Sequence, residues 1–127
     1  MTMVLDAGAL VAAERRPRGL IAILNDLAAG GDDIPVVPAS VVAQVWRGGR
    51  GRQARLGAWL DLCSIVPLDA DAALRVGLLL AATRTTDVVD AHVIDCACDG
   101  DWVVTTDPID LARLAKAAKK ELRVIAL

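Results

Sequence analysis

The sequence predicts an α/β fold, a sandwich of helices around a mostly parallel sheet of roughly five strands. Three observations carry this. Short apolar runs bounded by turn and capping residues alternate with longer segments of helical spacing. No repeat, linker or low-complexity segment interrupts the alternation. The chain has 127 residues, 55% of them hydrophobic, which suits one core and a single domain over residues 1–127.

The elements follow in order. Met3-Val4-Leu5 ends at Asp6 and reads as a first strand. Ala7 to Glu14 follows as a helix, broken near Pro17. Leu20, Ile23, Leu24 and Leu27 give a second helix, Leu20 to Ala29, stopped by Gly30-Gly31. Ile34 to Val37 is a β-branched second strand. Pro38-Ala39-Ser40 opens a helix with Ser40 as N-cap, a stripe of Val41, Val42, Val45 and Trp46, and an end at Gly48-Gly49. Arg52 to Leu62 resumes as a helix with Leu56, Trp59 and Leu60 inward. Ser64 to Pro67 is a third strand. Ala70 to Thr83 has almost no polar face after Arg75, which predicts deep burial. Asp87 caps a helix from Val88 to Cys98, with Val89, Val93 and Ala97 on its core face. Asp99-Gly100-Asp101 turns into a strand, Trp102 to Thr105. Asp107-Pro108 starts a helix to about Lys119, and Leu122 to Ala126 closes as a strand.

Composition excludes several classes. The longest uncharged run, Ile34 to Trp46, is 13 residues with two prolines, too short to span a bilayer. Asp6 interrupts the N-terminal apolar stretch, which argues against a secretory signal. Cys63, Cys96 and Cys98 cannot all pair, lack zinc spacing and accompany a single histidine, so they read as buried thiols in a reducing cytoplasm. A net charge of −2 does not mark a generic nucleic-acid binder. The basic residues are nonetheless clustered: Arg47, Arg50, Arg52 and Arg55 put four positive charges in nine residues.

The acids are the unusual feature: fourteen are Asp and two, Glu14 and Glu121, are Glu. Asp6 and Asp107 each follow a predicted strand, and Asp90 lies in the first turn of the helix that Asp87 caps. In a parallel sheet the carboxyl ends of strands and the starts of the next helices share the ligand-binding edge. Three carboxylates from distant segments can therefore converge. They stay ionised only if cations or donors compensate them, as Mg²⁺ or Mn²⁺ does. Acids around such ions are suited to phosphodiester hydrolysis, where the ion activates water and stabilises charge on the phosphate. Each Asp can also be read as a helix cap: Asp107 before Pro108 with Asp110 at the third position, Asp87 with Asp90, and Asp6 before Ala-Gly-Ala. Asp6 is the strongest single candidate, being the only charge in the first thirteen residues. Asp95 is a solvent or outer residue, and His92 reads as a surface or packing residue rather than a base.

Four segments carry a resemblance. Val4-Leu5-Asp6-Ala7-Gly8-Ala9-Leu10, Val37-Pro38-Ala39-Ser40 through Trp46-Arg47-Gly48-Gly49, Asp87-Val88-Val89-Asp90-Ala91-His92, and Val104-Thr105-Thr106-Asp107-Pro108-Ile109-Asp110-Leu111 resemble the PIN domain. More narrowly, they resemble VapC-type toxins of bacterial toxin–antitoxin pairs. The resemblance spans nearly the whole chain. It implies a PIN-like three-layer α/β/α sandwich and a metal-dependent endoribonuclease. It also implies a cognate antitoxin, a homodimer, and Mg²⁺ or Mn²⁺ at the site. The matching acids are Asp6, Asp90 and Asp107 for catalysis and metal, with Asp110 as an accessory metal ligand. The run Arg47, Arg50, Arg52 and Arg55 either holds RNA phosphates or is a solvated helix start after a Gly-Gly turn.

One position departs from the pattern. The second acid of the family, usually Glu, falls on Gln44, whose amide can accept a hydrogen bond but carries no charge. The site can work with three or four Asp, Glu14 can substitute, or the nuclease is weak. The first is favoured. The alternative function is a catalytically weakened module that binds RNA or antitoxin. A phosphorelay receiver lacks a second acid beside Asp6, and a dinucleotide binder lacks its Gly-rich loop.

Overall fold

The computed structural model describes residues 2–15, 18, 22, 34–48, 51 and 53–127. The predicted helix over Leu20–Ala29, together with Arg50 and Arg52, lies outside the described residues apart from Ala22. In chain order the elements are β1 (Met3–Leu5), α1 (Ala7–Arg15), β2 (Val36–Pro38), α2 (Ala39–Val45), α3 (Ala54–Asp61), β3 (Ser64–Val66), α4 (Ala70–Thr83), α5 (Val88–Cys96), β4 (Trp102–Thr105), α6 (Pro108–Ala117) and β5 (Arg123–Ala126).

All five strands are parallel, in the order β3-β2-β1-β4-β5. The chain adds β2 and β3 on one side of β1, then crosses back and adds β4 and β5 on the other. Because parallel crossovers are right-handed, this reversal sends the two sets of helices to opposite faces. The result is the three-layer α/β/α sandwich that the resemblance implied. Helices α4, α5 and α6 pack on one another, α1 packs on α2 and α3, and α2 also meets α5. The core is aliphatic: Val4, Leu5, Leu10, Val37, Ile94 and Val104 are fully buried. With β1 and β4 in register, Leu5 lies opposite Val104.

Several local expectations need correction. Ser40 is not an N-cap, since Pro38 holds that position without a side-chain bond and Ser40 lies in the first turn of α2. Its hydroxyl instead sits 2.6 Å from Nδ1 of His92 on α5. Trp46 ends α2 and is exposed. Helix α4 is not deeply buried: only Ala72 and Val76 are, while Leu74 and Leu78 are 70% and 73% exposed. Cys63 and Cys96 are half-buried and Cys98 is exposed, rather than all three being buried. Burial pushes the Cys63 thiol up to about 11 and the Cys96 thiol up to about 12, which keeps both protonated and unreactive. His92 is a packing residue. It is fully buried, and burial holds it neutral.

Candidate metal centre

The reversal of strand order between β1 and β4 marks the edge where open α/β sheets place ligands. Asp6 emerges from β1 there and Asp107 from β4. Asp6 is almost fully buried. Its Oδ1 accepts the Ala9 N–H at 2.8 Å, which caps α1, and its Oδ2 accepts the Thr105 hydroxyl. Thr105 Oγ1 also accepts the Asp107 N–H at 2.8 Å. One buried hydroxyl thus ties the two acids of adjacent strands together.

Oxygens of Asp90, Asp107 and Asp110 lie within 4.8 Å of one another. Asp87 caps α5 by accepting the Asp90 N–H at 3.0 Å, which fixes the first turn that carries Asp90. Asp107 has the same cap-plus-three spacing with Asp110, yet its side chain makes no cap bond to α6. The capping reading therefore holds for Asp87 and for Asp6, and the Asp107 carboxylate is left for the cleft.

These carboxylates disturb each other. Burial, followed by the charges of Asp87, Asp107, Asp6 and Asp110, pushes the Asp90 carboxyl up to about 6. Asp107 is raised by partial desolvation and then by the hydrogen bonding and charge of Asp110. Asp6 is raised mainly by burial, against the lowering effect of its Thr105 and Ala9 hydrogen bonds. Three mutually repelling carboxylate oxygens within 4.8 Å of one another suit a hard divalent cation, which would supply the positive charge that the site lacks. Asp6 is not one of the three clustered acids, but each of its oxygens retains a lone pair.

The other expected residues are scattered. Gln44 is on α2 and Arg55 on α3, both exposed. Arg47 follows α2 and donates to the carbonyls of Ala43 and Trp46, folding back on its own segment. Glu14 ends up with Arg15, Arg47 and Gln53 in a separate cleft, not in the acid cluster. Asp95 forms a bidentate pair with Arg75 at 2.9 and 3.1 Å. Asp101, read as a turn residue, is buried and accepts the N–H groups of Thr2 and Cys98.

Two contributors were not visible in the sequence. Thr105 resembles any β-branched strand residue until its partner Asp6, 99 residues away, is known. Gly8 matters because α1 presses on the segment after β4. A Cβ there would collide with the Thr106 hydroxyl and lie 2.8 Å from Thr106 Cβ and Cγ2. Side-chain rotation cannot move Thr106 Cβ, so the backbone beside Asp107 would shift. Gly8→Ala is expected to weaken Mn²⁺ binding about 10-fold, the effect typical of disturbing a supporting contact of a metal site. Adding Thr106→Gly should restore it. Calorimetric titration of both variants checks this.

No protein-family model matches the chain, and no curated protein does either. Among solved structures, the crystal structure of VapBC2 from Rickettsia felis bound to a DNA fragment from their promoter contains a chain with the same fold. The match covers 98% of each chain with a TM-score of 0.72 at 17% identity. At that identity the likeness establishes the fold.

Proposed function

We propose that the chain is a single PIN-like domain of the VapC type, a Mg²⁺- or Mn²⁺-dependent endoribonuclease toxin neutralised by a cognate antitoxin. The observation that carries this is the convergence of Asp90, Asp107 and Asp110 beside Asp6 at the switch point of the sheet. The VapBC2 likeness supports the toxin assignment and the antitoxin partner.

Asp90, Asp107 and Asp110 would hold the cation, with Asp6 beside them. A cation held there would supply activation of water and stabilisation of charge on the scissile phosphate. The chain's own work is positioning. Thr105 fixes Asp6 against the start of Asp107, Asp87 fixes the turn under Asp90, and the α1 cap keeps Asp6 from rotating. Arg47, Arg50, Arg52 and Arg55 would contact RNA phosphates. Such a toxin acts in the cytoplasm. No described helix is long and apolar enough to cross a membrane.

RNA cleavage with Mn²⁺ tests the reading. Wild type should cut, EDTA should stop it, and Asp107→Asn should lower the rate at least about 100-fold. EDTA-resistant cleavage would refute it. Gln44→Glu distinguishes the binding-module alternative: a large gain from near zero would show that the natural chain mainly binds.

Protonation of the acids competes with the cation. Because Asp90 titrates at about 6 in the folded chain, Mn²⁺ affinity should fall steadily as pH drops below about 6. A titration series from pH 7.5 to pH 5 reads this, and a flat profile would contradict it.

The exposed Leu74 and Leu78 of α4 support a homodimer through that face. Leu78→Asp should leave a monomer by light scattering while wild type runs as a dimer.

A further inference from the structure

A second charge type enters the acid cleft. A cavity of about 270 Å³ is lined by Thr85, Asp87, Asp90, Asp110, Arg113 and Leu114. Arg113 stands one turn after Asp110 on α6, so the two side chains rise from the same face. The contrast with Arg75 is informative. Arg75 is clamped in a bidentate pair by Asp95, whereas among the described residues Arg113 forms no ion pair, although three carboxylates line its cavity.

A guanidinium beside carboxylates that it does not engage keeps its planar fork of donors free. That fork matches two non-bridging oxygens of a phosphodiester. A cleft lined by acids repels the anionic backbone of RNA until positive charge is present, and a cation held by Asp90, Asp107 and Asp110 neutralises the acids rather than gripping the strand. We infer that Arg113 binds a phosphodiester oxygen of the RNA in the acid cleft and positions the strand over the metal centre. This rests on the ribonuclease reading above, and it puts a substrate contact inside the cleft rather than on the Arg47–Arg55 segment.

The role makes opposite demands on two measurements. Arg113→Ala removes a cation from beside the acids, so Mn²⁺ binding should tighten or stay unchanged. It also removes a phosphate contact, so kcat/KM for single-stranded RNA should fall about 10-fold or more, with partial recovery in Arg113→Lys, which keeps the charge but not the fork. Binding of a 2′-O-methyl RNA, which resists cleavage, should show a salt-dependence slope smaller by about 0.7 in Arg113→Ala, the value for one phosphate on a single strand. A general disturbance of the site would instead lower Mn²⁺ affinity and RNA binding together.

The outcomes separate the two claims. If wild type cleaves and Arg113→Ala matches it in kcat/KM and salt slope, the Arg113 contact is refuted and the ribonuclease reading stands. If wild type does not cleave but Arg113→Ala flattens the salt slope, the nuclease reading fails and the phosphate contact stands. RNA binding absent at every salt concentration overturns both.

Discussion

Under the proposed function, Asp90→Asn is expected to stabilise the metal-free protein while abolishing metal-dependent RNA cleavage. The Asp90 carboxyl titrates at about 6 in the folded chain against 3.8 for an ordinary Asp, because it is half-buried among Asp87, Asp107, Asp6 and Asp110. A raised pKa means that the folded state holds the proton more tightly than the unfolded one. The stability this confers is complete below about pH 4 and is lost as pH rises through about 6. At pH 7 the ionised group therefore opposes folding. Asparagine removes that cost and keeps the size. With the shift discounted for the group's exposure to solvent, the gain is about 1 kcal/mol, or about 4 °C in Tm. It should disappear near pH 4, where Asp90 is protonated in the folded chain. Cleavage should fall at least about 100-fold, because the variant lacks one charged ligand of the proposed cation site. Thermal melts at pH 7 and pH 4, with EDTA present, check the sign; a lower Tm at pH 7 would contradict the electrostatic picture.

Asp6→Ala should act in the opposite direction on stability. Asp6 caps α1 through Ala9 and accepts the hydroxyl of the fully buried Thr105. Alanine removes the cap, worth about 1 kcal/mol, and strands a buried donor at about the same cost. Relief of the buried charge of Asp6 offsets part of this, so the expected loss is about 1 kcal/mol, seen as an earlier midpoint in urea with an unchanged slope. Asp6→Asn keeps the cap oxygen, so it should melt closer to wild type and still lose activity. Burial raises both carboxyls, but only Asp6 is also held by the Ala9 N–H and the Thr105 hydroxyl, so its removal breaks contacts that removal of Asp90 does not. A stabilised Asp6→Ala variant would show that its hydrogen bonds are not what holds that edge together.

The parts of the fold that depend on local pattern were legible in the sequence. Central strands of a parallel sheet are continuous apolar runs, so Met3–Leu5 and Trp102–Thr105 stood out, and the Asp residues just beyond them marked the ligand edge. The parts that depend on distant partners were not. Ser40 has the composition and position of an N-cap, but its bond goes to His92, 52 residues away. Asp87 and Asp107 have identical spacing to an acid three residues on, yet only Asp87 makes the cap bond. Apolar composition led to a buried α4, but burial requires a covering element, and Leu74 and Leu78 have none in the described chain. Gly8 looked like one of several small residues until the Thr106 side chain was found against it. Arg113 lay on a helix with lysines nearby and carried no pattern to separate it from a solvated charge.

The central claim is that the acids at the β1/β4 edge form one cation site. Crystals of the protein grown with Mn²⁺ test it most directly, because anomalous scattering locates the ion without reference to activity. The account predicts a peak within coordination distance of Asp90 and Asp107, with Asp110 or Asp6 completing the set, and no such peak in Asp107→Asn. Crystals with Mn²⁺ bound elsewhere, or with the cleft empty at saturating Mn²⁺, would contradict it.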